Sequence, residues 1–203
     1  MNESEYREKL ESSKELFQEL LTVCGGNFIN GCGSYLFNGT TYEYWEGMFN
    51  KQLLLYNLAK KSDSVLEIGT YMGHSLLIML MANPNIKITC IDIDDTYTFP
   101  TTELLKKRLN ADITFIKGSS LDVLPTLTDT YDLFHIDGYH DDYHVLREFE
   151  YCKKLSNKNP MSLLVDDSMT TPIVYHHISQ QSGITEIFTP DSDWTCTYFE
   201  IKL

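Results

Sequence analysis

Apolar and polar positions along this chain first follow a helical period and then break into short apolar runs separated by turn formers. Residues Glu3 to Val23 carry Leu10, Phe17, Leu20 and Leu21 amid charges, which predicts one amphipathic helix ending before Gly25-Gly26. Residues 25–44 are rich in Gly, Asn, Ser and aromatics, with Cys32, Tyr35, Phe37 and Tyr42, and fit no single element. Such a segment is either a lid over a site or an ordered surface wrap. A second helix, residues 44–61, turns Phe49, Leu53, Tyr56 and Leu58 inward and stops at Ser62-Asp63.

From Ser64 the pattern changes. Val65, Leu66 and Ile68 form a strand that enters a glycine turn, and the run Ser75 to Ala82 has the length of a buried helix. Further strands are expected at 86–91, 113–116, 131–137, 161–165 and 184–188, with a terminal hairpin reaching 194–203. Helices are expected at 103–109, 142–155 and 171–181, with a short one around Val123 and Leu124. Strands alternating with helices predict an α/β architecture built on a parallel sheet. Trp194, Tyr198 and Phe199 read as core, with Trp194 also a candidate to line a pocket.

At 203 residues the chain suits a single domain, with 1–61 as helical extension and lid and 62–203 as the core. Its net charge of -13 disfavours nucleic acid and anionic membranes as partners. The charged start and the lack of a long apolar run argue for a soluble, cytoplasmic protein. Cys24, Cys32, Cys90, Cys152 and Cys196 are scattered, without a Cys-x-x-Cys pair, so neither a disulfide framework nor a zinc ribbon is expected.

The glycine turn lies in Ser64-Val-Leu-Glu-Ile-Gly-Thr-Tyr-Met-Gly-His-Ser75. In a parallel sheet it falls at the carboxyl end of the strand, where ligands of open α/β sheets bind. Its Gly-x-x-x-Gly spacing is not the dinucleotide fingerprint, and Glu67 suits an ammonium or sulfonium better than a pyrophosphate. The stretch resembles the first motif of class I S-adenosylmethionine-dependent methyltransferases, whose Glu/Asp-x-Gly-x-x-x-Gly turn cradles the methionine part of the cofactor. The resemblance implies a Rossmann-like fold with helices on both faces of a seven-stranded, mostly parallel sheet, ordered 3-2-1-4-5-7-6. It places Glu67, Gly69, Thr70, Tyr71, Gly73 and Ser75 around the cofactor. Asp92, ending the next strand, is positioned for the ribose hydroxyls or else simply opens a turn. By the same resemblance Ser119 or Ser120, with Leu121 and Asp122, would border the adenine, although Gly-Ser-Ser is also an ordinary loop.

The second centre is the pair of strand ends Ile136-Asp137-Gly138-Tyr-His140 and Val165-Asp166-Asp167. Neighbouring parallel strands end at one edge, so Asp137, Asp166 and Asp167 should converge, and three carboxylates repel unless neutralised. A hard divalent cation, Mg²⁺ first and Mn²⁺ or Ca²⁺ next, would neutralise them. These residues look like those of the small metal-dependent O-methyltransferases of the catechol and sugar types, which implies Asp137, Asp166 and Asp167 as metal ligands. Asp137 would also serve in catalysis and beside the cofactor. Where the catechol type has a lysine base, this chain has His140, the sugar-type pattern, so His140 is the expected general base or else a neighbouring residue. His140 and His144 are four apart, but the intervening Asp-Asp-Tyr is not the Glu-x-x of a zincin and speaks against a zinc pair; His135 reads as a core residue, and His176 and His177 as solvated or at a pocket rim.

The expected activity is therefore metal-dependent O-methylation of a sugar, glycan or other small-molecule hydroxyl. The alternatives are a catechol, phenol or metal-independent small-molecule methyltransferase, or a non-catalytic S-adenosylmethionine-binding protein. A homodimer is an open assembly.

Overall fold

The computed structural model describes residues 3–26, 46–168, 170–181, 183–188 and 196–203. Residues 27–44 of the expected irregular segment, and Trp194, lie outside the described residues.

The amino-terminal region holds two helices where one was expected, α1 (Glu3–Ser12) and α2 (Lys14–Val23). The break falls at Ser12-Ser13. Serine hydroxyls compete for backbone carbonyls, and Ser12 Oγ donates to Lys9 O at 3.0 Å, while the Ser13 amide is shared between Lys9 O and Leu10 O at 3.1 Å each. The change of direction lets Tyr6 and Leu10 of α1 bury together with Phe17, Leu20 and Leu21 of α2. The next helix, α3 (Phe49–Ala59), follows a 3₁₀ turn at Glu46–Met48 and is buried on more than one face, with Lys51 and Gln52 inside as well as its leucines.

Then come β1 (Ser64–Ile68), α4 (His74–Ala82), β2 (Lys87–Asp92) and α5 (Asp95–Leu109). Helix α5 begins well before the expected Glu103 and carries Pro100 within it. Its Thr-rich first half has poor helix propensity, but Asp94 caps it by accepting from Thr96 N at 2.8 Å, and Thr98, Thr101 and Thr102 are buried. The remaining elements are β3 (Ile113–Lys117), α6 (Ser120–Val123), β4 (Leu133–Ile136), α7 (Asp142–Leu155), β5 (Met161–Asp166), α8 (Pro172–Ser179), β6 (Ile184–Phe188) and β7 (Cys196–Ile201). Strand β4 is shorter than 131–137, because Tyr131 makes only an isolated bridge to Ser156.

The strands form one sheet in the order β3-β2-β1-β4-β5-β7-β6. Strands β1 to β5 are parallel, and β7 runs antiparallel between β5 and β6. The registers Ile68↔Ile136 and Ile136↔Val165 bring the ends of β1, β4 and β5 level. Side chains alternate across the sheet. Leu66, Ile68, Phe134, Ile136, Leu163 and Val165 enter the core shared with α7 and α8, whereas Val65, Leu133 and Leu164 enter the core shared with α2, α3 and α4. Glu67, His135 and Asp166 follow the second phase and face α3. Among the described residues no helix is long and apolar enough to cross a membrane.

Candidate active site

A cavity of about 550 Å³ opens at the carboxyl edge of β1, β2, β4 and β5. Of the residues expected at the cofactor, Gly69, Thr70, Tyr71, Ser75, Asp92, Ser119, Ser120 and Asp137 line it, and Glu67 and Gly73 do not. Leu121 and Asp122 are also outside its wall.

Glu67 is fully buried beneath the turn. Its Oε2 accepts from Thr70 Oγ1 and its Oε1 lies against His135 Nδ1, both at 2.9 Å. The contact joins a carboxyl oxygen to a ring nitrogen, and the His135 tautomer sets which of them donates. Glu67 is thus engaged in internal hydrogen bonds and lies behind the cavity wall rather than in it. Asp92 holds the turn from the other side. Its Oδ2 accepts from Thr70 N at 2.9 Å, Tyr71 N at 2.8 Å and Thr98 Oγ1 at 3.1 Å, leaving Oδ1 with the Asp94 amide at 3.0 Å. Gly69 sits at φ +81° with the site of a Cβ 2.1 Å from Asp137 O, so glycine is needed there for one strand end to pass the next, and it lines the cavity as well.

The adenine end of the expected site contains a group that the motifs did not reveal. Ser120 Oγ donates to Glu148 Oε1 at 2.5 Å, and Glu148 Oε2, buried at the cavity wall, has no hydrogen-bond partner among the described residues. Burial raises the Glu148 pKa, and the Ser120 bond offsets only part of that rise. The available signal was spacing, since Glu148 lies one helical turn after His144 on α7.

Asp137, Asp166 and Asp167 converge at the other end as expected, and all three line the cavity. They do so around a lysine. The Lys51 ammonium, from α3, pairs with Asp166 Oδ2 and stands 3.9 Å from Asp137 Oδ2. Burial alone would lower the Lys51 pKa, but Asp137 and Asp166 outweigh it and raise the value, so the ammonium stays charged. In turn Asp166 is held below the ordinary carboxylate range by Lys51 against the effect of burial, while Asp137 is raised by burial and by the Asp166 charge beside it. Asp167 is raised for the same two reasons and adopts φ 46°.

This donor set does not fit the expected divalent cation. A monovalent cation already neutralises Asp166, and among the described residues no group of three or more His, Cys, Asp and Glu is arranged to hold a metal ion. The sequence concealed this because Lys51 stands in a helix remote from the aspartates, and only its place within a buried apolar run, Phe49-Asn-Lys-Gln-Leu-Leu-Leu-Tyr56, hinted at it.

His140 Nε2 lies 3.5 Å from Asp167 Oδ2 and 3.7 Å from Asp137 Oδ1 at the cavity wall. His144 is engaged with Asp141, its Nδ1 on Oδ2, while Asp141 Oδ1 caps α7 by accepting from the amides of Tyr143 and His144. Because α7 starts at Asp142, His140 precedes the helix and the two imidazoles do not form the zinc pair. His135 is a buried, hydrogen-bonded core residue, and His176 and His177 are exposed on α8 away from the cavity.

Comparison with known proteins places this geometry. A family model described as a methyltransferase domain matches residues 66–168, from β1 through the Asp166-Asp167 edge. The O-methyltransferase hkm8 of Aspergillus hancockii is 30% identical over 118 residues, which cover 57% of this chain and 46% of that protein. The chain thus spans about half the length of that curated relative. Among solved structures, the O-methyltransferase TomG from Streptomyces achromogenes, involved in tomaymycin synthesis and solved with SAM, aligns over 100% of both chains with a TM-score of 0.72 and 15% identity. The O-methyltransferase from Bacillus cereus, solved with SAH, aligns over 92% of this chain and 90% of its own with a TM-score of 0.68 and 16% identity. The likeness to these structures is one of fold, Rossmann-like α/β. The agreement of the family match with the strand-turn-helix and both aspartate-bearing strand ends settles the assignment: the chain belongs to this methyltransferase family.

Proposed function

We propose that the chain is an S-adenosylmethionine-dependent O-methyltransferase acting on a hydroxyl of a small-molecule acceptor, with the catalytic unit formed as one domain. The observation that carries this reading is a single cavity joining the glycine turn, the orphaned Glu148 carboxylate oxygen and the His140–Asp137–Asp167 cluster. Its volume lies in the usual range for small-ligand sites. Relatives solved with SAM or SAH support the choice of donor.

When bound, S-adenosylmethionine supplies an electrophilic methyl group on a sulfonium and departs as S-adenosylhomocysteine. The chain's own residues do the rest. Asp92 Oδ1 accepts from a ribose hydroxyl, and Glu148 Oε2 accepts from the adenine amino group, a hydrogen bond it does not make among the described residues. His140 Nε2 takes the proton from the acceptor hydroxyl, and Asp137 and Asp167 balance the charge it gains. The acceptor oxygen then bonds to the methyl carbon as the carbon–sulfur bond breaks.

No step is routed through a metal. Sugar and glycan hydroxyls, the acceptors expected from the sequence, call for a divalent cation as well as a base. A phenol or catechol ionises more easily, as tyrosine does near pH 10, and is the better acceptor for a base working without a metal. Isothermal calorimetry with S-adenosylhomocysteine, followed by labelled methyl transfer to panels of phenols and of sugars, tests the reading. Absence of binding refutes the donor, and binding without transfer to either panel favours the non-catalytic alternative.

A further inference from the structure

The charge that neutralises the aspartates at the strand edge belongs to the chain itself. Alternation along β1, β4 and β5 turns Glu67, His135 and Asp166 toward α3, and α3 answers with Lys51, whose side chain is 4% exposed. An ammonium this deeply buried needs carboxylate partners to offset its lost hydration, and the carboxylates need a cation for the same reason. Lys51 also lines the cavity, together with Asp137, Asp166 and His140. A dication reaching the same oxygens would meet like-charge repulsion from the ammonium or would have to displace it.

We infer that Lys51 is the resident cation of the acceptor site: its ammonium takes the place of a divalent metal, faces the acceptor oxygen, and makes methyl transfer by this chain metal-free. The identity of that oxygen rests on the O-methyltransferase reading above. A hydroxyl that gives its proton to His140 becomes an oxyanion, and the Lys51 ammonium, with three donors, stabilises it until the methyl carbon leaves sulfur and bonds to oxygen. The proton ends on His140 and the electron pair of the broken bond on sulfur, so no further reactant is required.

Two titrations test this on the whole protein saturated with S-adenosylhomocysteine. In the first, Mn²⁺ is added to chelator-treated wild type and to Lys51→Met, with bound ion read by electron paramagnetic resonance. The wild type should bind Mn²⁺ no better than in the millimolar range, and Lys51→Met at least about tenfold more tightly, because removing the ammonium frees its carboxylate partners. In the second, 4-nitrophenol reports oxyanion binding through the colour of its ionised form. The wild type should ionise the bound phenol about one pH unit below its free value, and Lys51→Met should not.

Micromolar Mn²⁺ binding by the wild type, no gain on Lys51→Met, or identical ionisation of the phenol in both proteins overturns the inference. If Lys51→Met fails to fold, the wild-type Mn²⁺ isotherm and the phenol shift decide by themselves. Failure of S-adenosylhomocysteine to bind would instead defeat the donor assignment; both titrations are then read on the unliganded protein.

Discussion

Glu67 and His135 sit side by side in register on adjacent parallel strands, with carboxylate and imidazole 2.9 Å apart and both fully buried. The pair lies under the glycine turn, and Thr70 completes it from above. Glu67→Ala would take from buried His135 Nδ1 and the Thr70 hydroxyl their shared partner, and should cost about 3 kcal/mol of unfolding free energy. His135→Leu should cost a similar amount by leaving the buried Glu67 carboxyl half satisfied. The double variant Glu67→Leu/His135→Leu should be less destabilised than the sum of the single variants, because neither buried polar partner is stranded. Urea unfolding of the four proteins measures the coupling, and strict additivity would contradict it.

His140 and His144 should separate cleanly. His140→Ala should lower turnover by roughly 10²- to 10⁴-fold, the usual contribution of a general base, while S-adenosylhomocysteine binds as before. His144 is committed to Asp141, so His144→Ala should change turnover by less than about tenfold and act mainly on the first turn of α7. Steady-state kinetics with any accepted acceptor distinguish them; a greater loss for His144 would reassign the base.

Glu148 should read the base of the cofactor. Glu148→Ala should weaken S-adenosylhomocysteine binding by roughly 10- to 100-fold, the loss of one hydrogen bond to a charged group. Glu148→Gln keeps a carbonyl acceptor and should lose only about threefold. The inosine analogue, which lacks the amino donor, should bind the wild type poorly and lose that disadvantage in Glu148→Ala. Equal affinity of the wild type for both nucleosides would remove Glu148 from recognition.

His74 gives the fold a pH dependence of known sign. Buried on α4 with its ring 5.5 Å from that of Phe17, it is pushed from 6.5 to about 3 by loss of hydration. Between those values the unfolded chain binds a proton that the folded chain refuses. Stability is therefore full above about pH 6.5 and falls with acidification by about 1.4 kcal/mol per pH unit until the folded value is reached. His74→Gln should flatten this part of the profile. Chemical unfolding at a series of pH values from neutral to about 4 will show whether the slope difference is present.

Much of the local structure was legible because it follows from nearest neighbours. Strand β1, helix α7 and strand β6 fall where the apolar runs and turn formers put them, at Ser64–Ile68, Asp142–Leu155 and Ile184–Phe188. Helix α5 was under-read because its first half is held by the Asp94 cap and by buried threonines, which propensity does not anticipate. The division of α1 from α2 turned on two serine residues whose effect depends on what the following helix packs against.

By itself the sequence determined the alternation of strands and helices, the glycine turn, and the meeting of three aspartates at the ends of two neighbouring strands. Those follow from periodicity and from the rule that parallel strands finish at a common edge. Tertiary structure alone decided which charges meet there. It turned Glu67 inward to His135 and away from the cavity, brought Glu148 to Ser120 across 28 positions, and carried Lys51 across 115 positions to Asp166. Contacts so distant along the chain are set by which face of the sheet a helix covers, and side-chain periodicity within either segment carries no record of that choice.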